Sequence, residues 1–302
     1  MGTAPYPGLH PDLWDLARAM ANDPNLVPEH LRPITDLRAA VAEMEDRLPP
    51  LPTDIQTHDW TLDVADRAVP LRTYTAPNPR AEAMLYIHGG GWSLGSLRGH
   101  EHVCADIARD TGLRVVSIDY ALAPEHPYPR ALTECRAAFE YLASGASPLG
   151  AIPALWLGGD SAGGNLALGT AATTQQAAGM FLIYPAVDPA CRAQSYVIHA
   201  QAPYLTTELM HRCWRDYLQG QTPEPITFAN LPRAVILTAA LDPLLGDGED
   251  LAATLLAASI PVWYEKAEGM IHGFIRWRDR SPAAAQVFAR ATRALAEAIE
   301  RT

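Results

Sequence analysis

The chain has little lysine, few cysteines, no long apolar run and no basic cluster, and each shortage excludes something. Among its 302 residues Lys266 is the one lysine, and 23 basic against 34 acidic residues leave a net charge of −11. A nucleic-acid binder carries a basic stripe that displaces counterions from phosphates; here the basic residues are dispersed, so no nucleic-acid partner is expected. Codon bias explains the preference for arginine as well as any mechanism does. The four cysteines, Cys104, Cys135, Cys191 and Cys213, fit neither a disulfide framework nor a Cys-x-x-Cys metal clip. They read as small core residues in a reducing compartment, so the expected location is cytoplasmic. No apolar run approaches the ~18 residues that span a bilayer. Met1–His10 has neither the basic n-region nor the apolar h-region of a secretory signal, and none is expected. Apolar residues, in contrast, are plentiful: 48% hydrophobic against 19% charged excludes a disordered chain. The length suits one large domain, or a domain with a lid.

Three zones follow from the periodicity. Residues 1–50 read as helical. Leu13, Trp14, Leu16 and Met20 suggest one short helix, and Ile34, Leu37, Val41, Met44 and Leu48, spaced 3-4-3-4, form the stripe of a second. Thr35 or Asp36 is expected to cap that second helix, and Leu48-Pro49-Pro50-Leu51-Pro52 to break it. Residues 51–187 and 230–302 alternate strands with helices. Thr57–Asp63 and Val69–Tyr74 make a strand pair turning near Asp66. Short apolar runs at Met84–Ile87, Arg114–Ile118, Ala154–Leu157, Met180–Tyr184, Ala234–Thr238 and Val262–Glu265 read as strands buried on both faces. Leu132, Cys135, Phe139 and Leu142 fall on one helical face, and Val287, Ala291, Leu295 and Ile299 on another. The alternation predicts an α/β fold, a mostly parallel central sheet flanked by helices, with ligands at the carboxyl ends of the strands. Residues 188–229 interrupt the rhythm with an insertion. Its helix, Thr207–Leu218, carries Leu209, Met210, Cys213, Trp214, Tyr217 and Leu218 on a broad apolar face, and an insertion this long reads as functional or as a lid.

The chemistry concentrates in two glycine-rich turns. Gly159-Asp160-Ser161-Ala162-Gly163 matches G-x-S-x-G directly after a strand and before a helix, where a serine is forced into a sharp turn with its hydroxyl off the sheet end. A phosphate-cradling loop would end in Gly-Lys-Ser/Thr, which is absent. His88-Gly89-Gly90-Gly91-Trp92 follows the strand Met84–Ile87. Backbone N–H groups in such a loop, with that of Ala162, stabilise a developing oxyanion by about 3–4 kcal/mol per donor.

A serine hydroxyl needs a base, and the base an orienting acid. After Ser161 the acid should follow a late strand and the histidine the last one. Asp242, in Asp242-Pro243-Leu244, and His272, in Gly269-Met270-Ile271-His272-Gly273-Phe274, stand at those places. Asp247, Glu249 and Asp250 compete for the acid but fit better as the first turn of a helix. His199 and His211 lie in the insertion, off the sheet. His100 and His102 resemble a metal pair without a third ligand, so no metal site is expected. His88 reads as an anchor of the glycine loop. Trp92, Asp160, Tyr204, Leu205 and Phe274 are weaker candidates for lining the site, with core packing as the alternative.

Together these pieces resemble the hormone-sensitive-lipase-like branch of the α/β-hydrolases, the bacterial family IV carboxylesterases. The matching segments are His88–Trp92, Asp119-Tyr120-Ala121-Leu122-Ala123-Pro124-Glu125-His126-Pro127, Gly159–Gly164, Asp242–Leu244 and His272–Phe274, in family order over residues 57–302. The resemblance implies Ser161 as nucleophile, His272 as general base and acid, and Asp242 as its orienter. It implies an oxyanion hole from the N–H groups of Gly90, Gly91 and Ala162, with Gly89 shaping the turn, and Asp119 and Glu125 bracing the loop. It further implies a helical cap made of residues 1–50 and 188–229 over a catalytic domain of residues 51–187 and 230–302. The substrate would be a small-molecule acyl ester of short to medium chain, with no cofactor, and the assembly a homodimer. Departures from the family pattern are Ala121, where arginine is common, the stretch Leu245-Gly246-Asp247-Gly248, and a shortened segment from Leu218 to Leu231. The same residues would also serve a deacetylase or amidase; a non-catalytic receptor on this fold would lack the histidine that is present here as His272.

Overall fold

In the computed structural model, which describes residues 4–21, 29–174 and 176–301, two helices precede the sheet: α1 (Trp14–Ala21) and α2 (Ile34–Asp46). The β1 (Gln56–Val64) and β2 (Arg67–Thr75) hairpin follows, then β3 (Ala83–Ile87), α3 (Leu97–Thr111), β4 (Arg114–Ile118), α4 (Arg130–Ala143), β5 (Leu155–Asp160), α5 (Ala162–Thr174) and β6 (Gly179–Ile183). The chain continues through α6 (Ser195–Ile198), α7 (Thr207–Leu218), β7 (Ala234–Leu241), α8 (Leu245–Ala257), β8 (Val262–Ile271) and α9 (Pro282–Glu300). The strand order is β1-β2-β4-β3-β5-β6-β7-β8, antiparallel in the first two pairings and parallel from β4 to β8.

Strand alternation sorts the core into two layers. Leu85, Ile87, Leu157, Leu182 and Ile236 pack under α4, α5 and α8, whereas Met84, Tyr86, Trp156, Phe181 and Leu237 pack under α3 and α9. Both predicted helical stripes are buried in this way, on α4 and on α9. The hairpin turns at Ala65 and Asp66, and α7 spans the predicted range.

Three expectations change. The N-cap of α2 is Pro33 with no side-chain cap bond, so Thr35 and Asp36 lie inside its first turn. Its stripe is not core: Leu37 is buried, but Met44 is exposed, because Leu37, Val41 and Met44 face a cavity. β8 runs six residues past Glu265 to Ile271, its exposed Lys266 and Glu268 hiding the strand from an apolar-run criterion. The segment ahead of α1 crosses the ends of the last two strands. His10 N–H donates to Gly269 O at 3.0 Å, and Leu9 and Leu13 are buried beside it. Among the described residues no helix is long and apolar enough to cross a membrane.

Candidate active site

β5 ends at Asp160 and the chain enters α5 through Ser161, at φ +55°. A non-glycine residue held there costs about 1–3 kcal/mol, so the surroundings must fix it. Ser161 N–H donates to Ile183 O at 2.9 Å, and Ser161 O accepts from Asn165 N at 3.1 Å and Ala186 N at 3.2 Å. Helix and strand approach too closely for side chains: a Cβ on Gly163 would strike the carbonyls of Ile87 and His88.

At the other end of the site a register shift between β7 and β8 pairs Leu241 with Ile271, which sets the next residues, Asp242 and His272, side by side. His272 Nδ1 lies 2.6 Å from Asp242 Oδ2, and His272 Nε2 lies 2.9 Å from Ser161 Oγ. Asp242 is fully buried, and its second oxygen accepts the N–H of Leu244 at 2.9 Å. The carboxylate therefore has a partner on each oxygen and holds the ring in one orientation.

The glycine loop closes the third side. Gly90 and Gly91 have φ of +125° and +59°, the left-handed region glycine tolerates. Among the described residues, the N–H groups of Gly90, Gly91 and Ala162 have no protein acceptor. Gly89 N–H, in contrast, donates to Asp160 Oδ1 at 3.1 Å, so Gly89 shapes the turn. Asp160 also accepts from Tyr86 OH at 2.8 Å and faces His100 Nε2 at 3.3 Å. Burial disfavours its charge, but His100, Tyr86 and Gly89 outweigh that and hold its carboxyl at about 2. His88 anchors the loop through Nδ1 to Gly89 O at 2.9 Å and stacks on Tyr120 at 4.4 Å. Burial, with His100 nearby, pushes its imidazole down to about 3, so it stays neutral.

The family model described as the alpha/beta hydrolase fold matches residues 84–276. The chain belongs to that family. This α/β-hydrolase is 35% identical over 251 residues to carboxylesterase NlhH of Mycobacterium tuberculosis, covering 76% of this chain and 79% of that protein. It is 30% identical over 241 residues to ethyl acetate hydrolase of Pseudomonas putida, covering 72% and 75%. Its fold superposes with a TM-score of 0.90 on a mutant of LAE6, an alpha/beta hydrolase enzyme from the metagenome of Lake Arreo, Spain. That match is 28% identical and covers 97% of this chain and 99% of the other. The protein is a carboxylic-ester hydrolase of the hormone-sensitive-lipase-like branch.

In this hydrolase a cavity of about 550 Å³ opens onto Ser161, His272 and the glycine loop, with Asp160, Tyr204 and Leu205 also in its wall. Trp92 and Phe274 do not line it. Trp92 is fully buried, stacked on Tyr217 at 4.6 Å and against Trp214 at 4.2 Å, and Phe274 packs edge-on to Tyr184 at 5.9 Å. Both belong to the core, Trp92 to the layer under α4 and α5 and Phe274 to the layer under α3 and α9. Asp247 turns away from His272 and accepts from Val187 N at 2.6 Å, Asp188 N at 3.0 Å and Tyr196 OH at 3.1 Å. His102 meets Pro49 O instead of sharing a ligand with His100.

The bracing differs from the expectation for Asp119, whose carboxylate faces Arg67 at 3.9 Å. Glu125 binds Arg38 of α2, and Arg38 in turn donates to Ser93 O and Ala123 O at 3.0 and 2.9 Å. Fully buried Glu134 takes the N–H of Ala121 at 2.8 Å together with Arg67 and Arg130. Tyr86, Glu134, Arg38 and Arg276 were all missed from sequence; apart from Arg130 and Ala121 beside Glu134, their partners lie far away in the chain, and only the charge of Glu134 amid an apolar helical face was a signal.

Proposed function

We propose that this ester hydrolase works by a serine acyl-enzyme mechanism on short- to medium-chain acyl esters. One observation carries the reading: an unbroken hydrogen-bonded series from Asp242 through His272 to Ser161, ending at the floor of a cavity beside unpaired amides. Ser161 Oγ attacks the ester carbonyl as His272 Nε2 takes its proton. The N–H groups of Gly90, Gly91 and Ala162 receive the oxyanion, each donor contributing about 3–4 kcal/mol. Collapse breaks the C–O bond, and His272 returns the proton to the departing alcohol. A water then attacks the acyl-enzyme with His272 again as base, releasing the acid and restoring Ser161. Asp242 keeps Nδ1 protonated and Nε2 free to accept.

Residues 1–50 and 188–229 form the cap in this reading, and 51–187 with 230–302 the catalytic domain. Leu37, Val41 and Met44 of α2 and Leu205 and Leu209 near α7 give the cavity an apolar roof suited to an acyl chain. The volume favours short and medium chains, as does similarity to a relative named for ethyl acetate. Buried thiols at Cys104 and Cys135 suit the cytoplasm. Two measurements test the mechanism together. A serine-directed phosphonate should add to Ser161, located by mass spectrometry, and Ser161→Ala should hydrolyse no ester in a series from acetyl to dodecanoyl. Turnover by Ser161→Ala, or an adduct elsewhere with activity lost, rejects it.

A further inference from the structure

The cavity that opens onto Ser161 also exposes a guanidinium. Arg276 lies just beyond His272, in the turn after β8, and lines both the 550 Å³ cavity and an adjoining one of about 700 Å³. Several other arginines near the site are engaged by carboxylates: Arg38 by Glu125, Arg67 by Glu134, and Arg278, two residues on, by Asp106. Among the described residues no carboxylate lies within ion-pair distance of Arg276. Among the same residues its one polar partner is the Tyr204 hydroxyl, which accepts from Nη1 at 3.0 Å. The carboxylate that acts on it through space is Asp160, already occupied by Tyr86, Gly89 and His100.

The unoccupied part of the fork matters most. With Nη1 on Tyr204, the Nε–Nη2 edge has no partner among the described residues, and that edge can grip a carboxylate through two parallel N–H···O bonds. A buried cation without a counter-ion is costly in a finished core. Here the residue keeps partial exposure on the cavity itself, so a ligand can supply the missing charge. Tyr204 positions the group: its ring lies 6.4 Å from that of His272, nearly parallel at 20°, so the guanidinium is fixed relative to the reacting centre.

We propose that Arg276 is a specificity-determining residue that binds a carboxylate of the substrate, so that the preferred substrates are esters bearing a free carboxylate. This deepens the serine-esterase reading and rests on it. The carboxylate can belong to the acyl part, as in a half-ester of a dicarboxylic acid, or to the alcohol part, as in an acylated hydroxy acid.

The experiment compares kcat/KM for matched pairs: monomethyl and dimethyl glutarate for the acyl side, and 4-acetoxybutyrate and its methyl ester for the alcohol side. The wild type should prefer the anion in one of the two pairs, which identifies the side. In Arg276→Gln the ratio of anionic to neutral kcat/KM in that pair should fall at least ~10-fold, chiefly through KM, and Arg276→Lys should restore part of it. A residue that merely held Tyr204 and His272 in place would move both members of a pair together, and that result overturns the proposal. So does a wild type that hydrolyses both neutral diesters but discriminates against both anions. Loss of all four activities in the wild type would instead count against the serine-esterase reading. If Arg276→Gln does not fold, inhibition of the wild type decides: butyrate should compete with a neutral ester and butyramide should not, and equal inhibition by the two rejects the assignment.

Discussion

Asp242 and Asp247 are two carboxylates on one loop and helix start with opposite surroundings. Asp242 has a histidine on one oxygen and an N–H on the other, whereas Asp247 is buried with one oxygen left without a partner. Asp242→Asn should reduce kcat by about 10⁴-fold, because the amide stabilises the wrong imidazole tautomer; Asp247→Asn should leave ester turnover within a few-fold. Burial pushes the Asp247 carboxyl up to about 7, and the N–H groups of Val187 and Asp188 only partly offset it. The folded chain therefore binds this proton more tightly than the unfolded one, whose carboxyl titrates near 4. Stability from this group is present below about pH 4 and is lost as pH rises through 7, on the order of 2–4 kcal/mol in all. Melting curves of wild type and Asp247→Asn at pH 5 and pH 8 should show the variant gaining relative stability at the higher pH; parallel curves would refute the assignment. The residues that now hydrogen-bond in series were legible because each sits in a short motif at a strand end. Tyr86, His100 and Arg276 carried no such mark, since an isolated tyrosine, histidine or arginine has the same local pattern in a core, on a surface or in a site.

Elements were legible where burial is symmetric. The parallel strands β3 to β7 are covered on both faces, so their sequences are continuous apolar runs, and α4 and α9 display one full stripe each. The rule fails at β8, an edge strand, and at α2, whose stripe faces a cavity instead of a core. α2 is tied to the domain by Arg38, through Glu125 and the carbonyls of Ser93 and Ala123, and by Glu45, which accepts from Ser96 Oγ at 2.8 Å. Arg38→Ala removes two bonds to carbonyls worth roughly 1.5–3 kcal/mol each and a half-exposed pair with Glu125 worth about 0–1 kcal/mol. It should raise KM several-fold and speed proteolytic cutting ahead of β1, both measurable at a temperature where the sheet stays folded. Unchanged KM and unchanged cutting would show that α2 is anchored by something else.

The whole molecule has two apolar layers on one sheet, and every strand from β2 to β8 contributes to both. Phe139 of α4 and Leu295 of α9 lie on opposite faces of the sheet and are both buried. Because the shared strands couple the layers, Phe139→Ala and Leu295→Ala should each lower the midpoint of one common unfolding transition. The expected cost is about 2–5 kcal/mol in either case. Calorimetry resolving two separate transitions in either variant would show the layers to be independent.

The strip of backbone around Leu9 and His10 acts as a buckle over Leu241 and Gly269, the positions that lead into Asp242 and His272. Anyone trimming the start of the polypeptide to ease crystallisation would unfasten it. A version beginning at Trp14 should keep its far-ultraviolet circular dichroism and yet turn over slowly, since the two strand tips would drift before the sheet itself gave way.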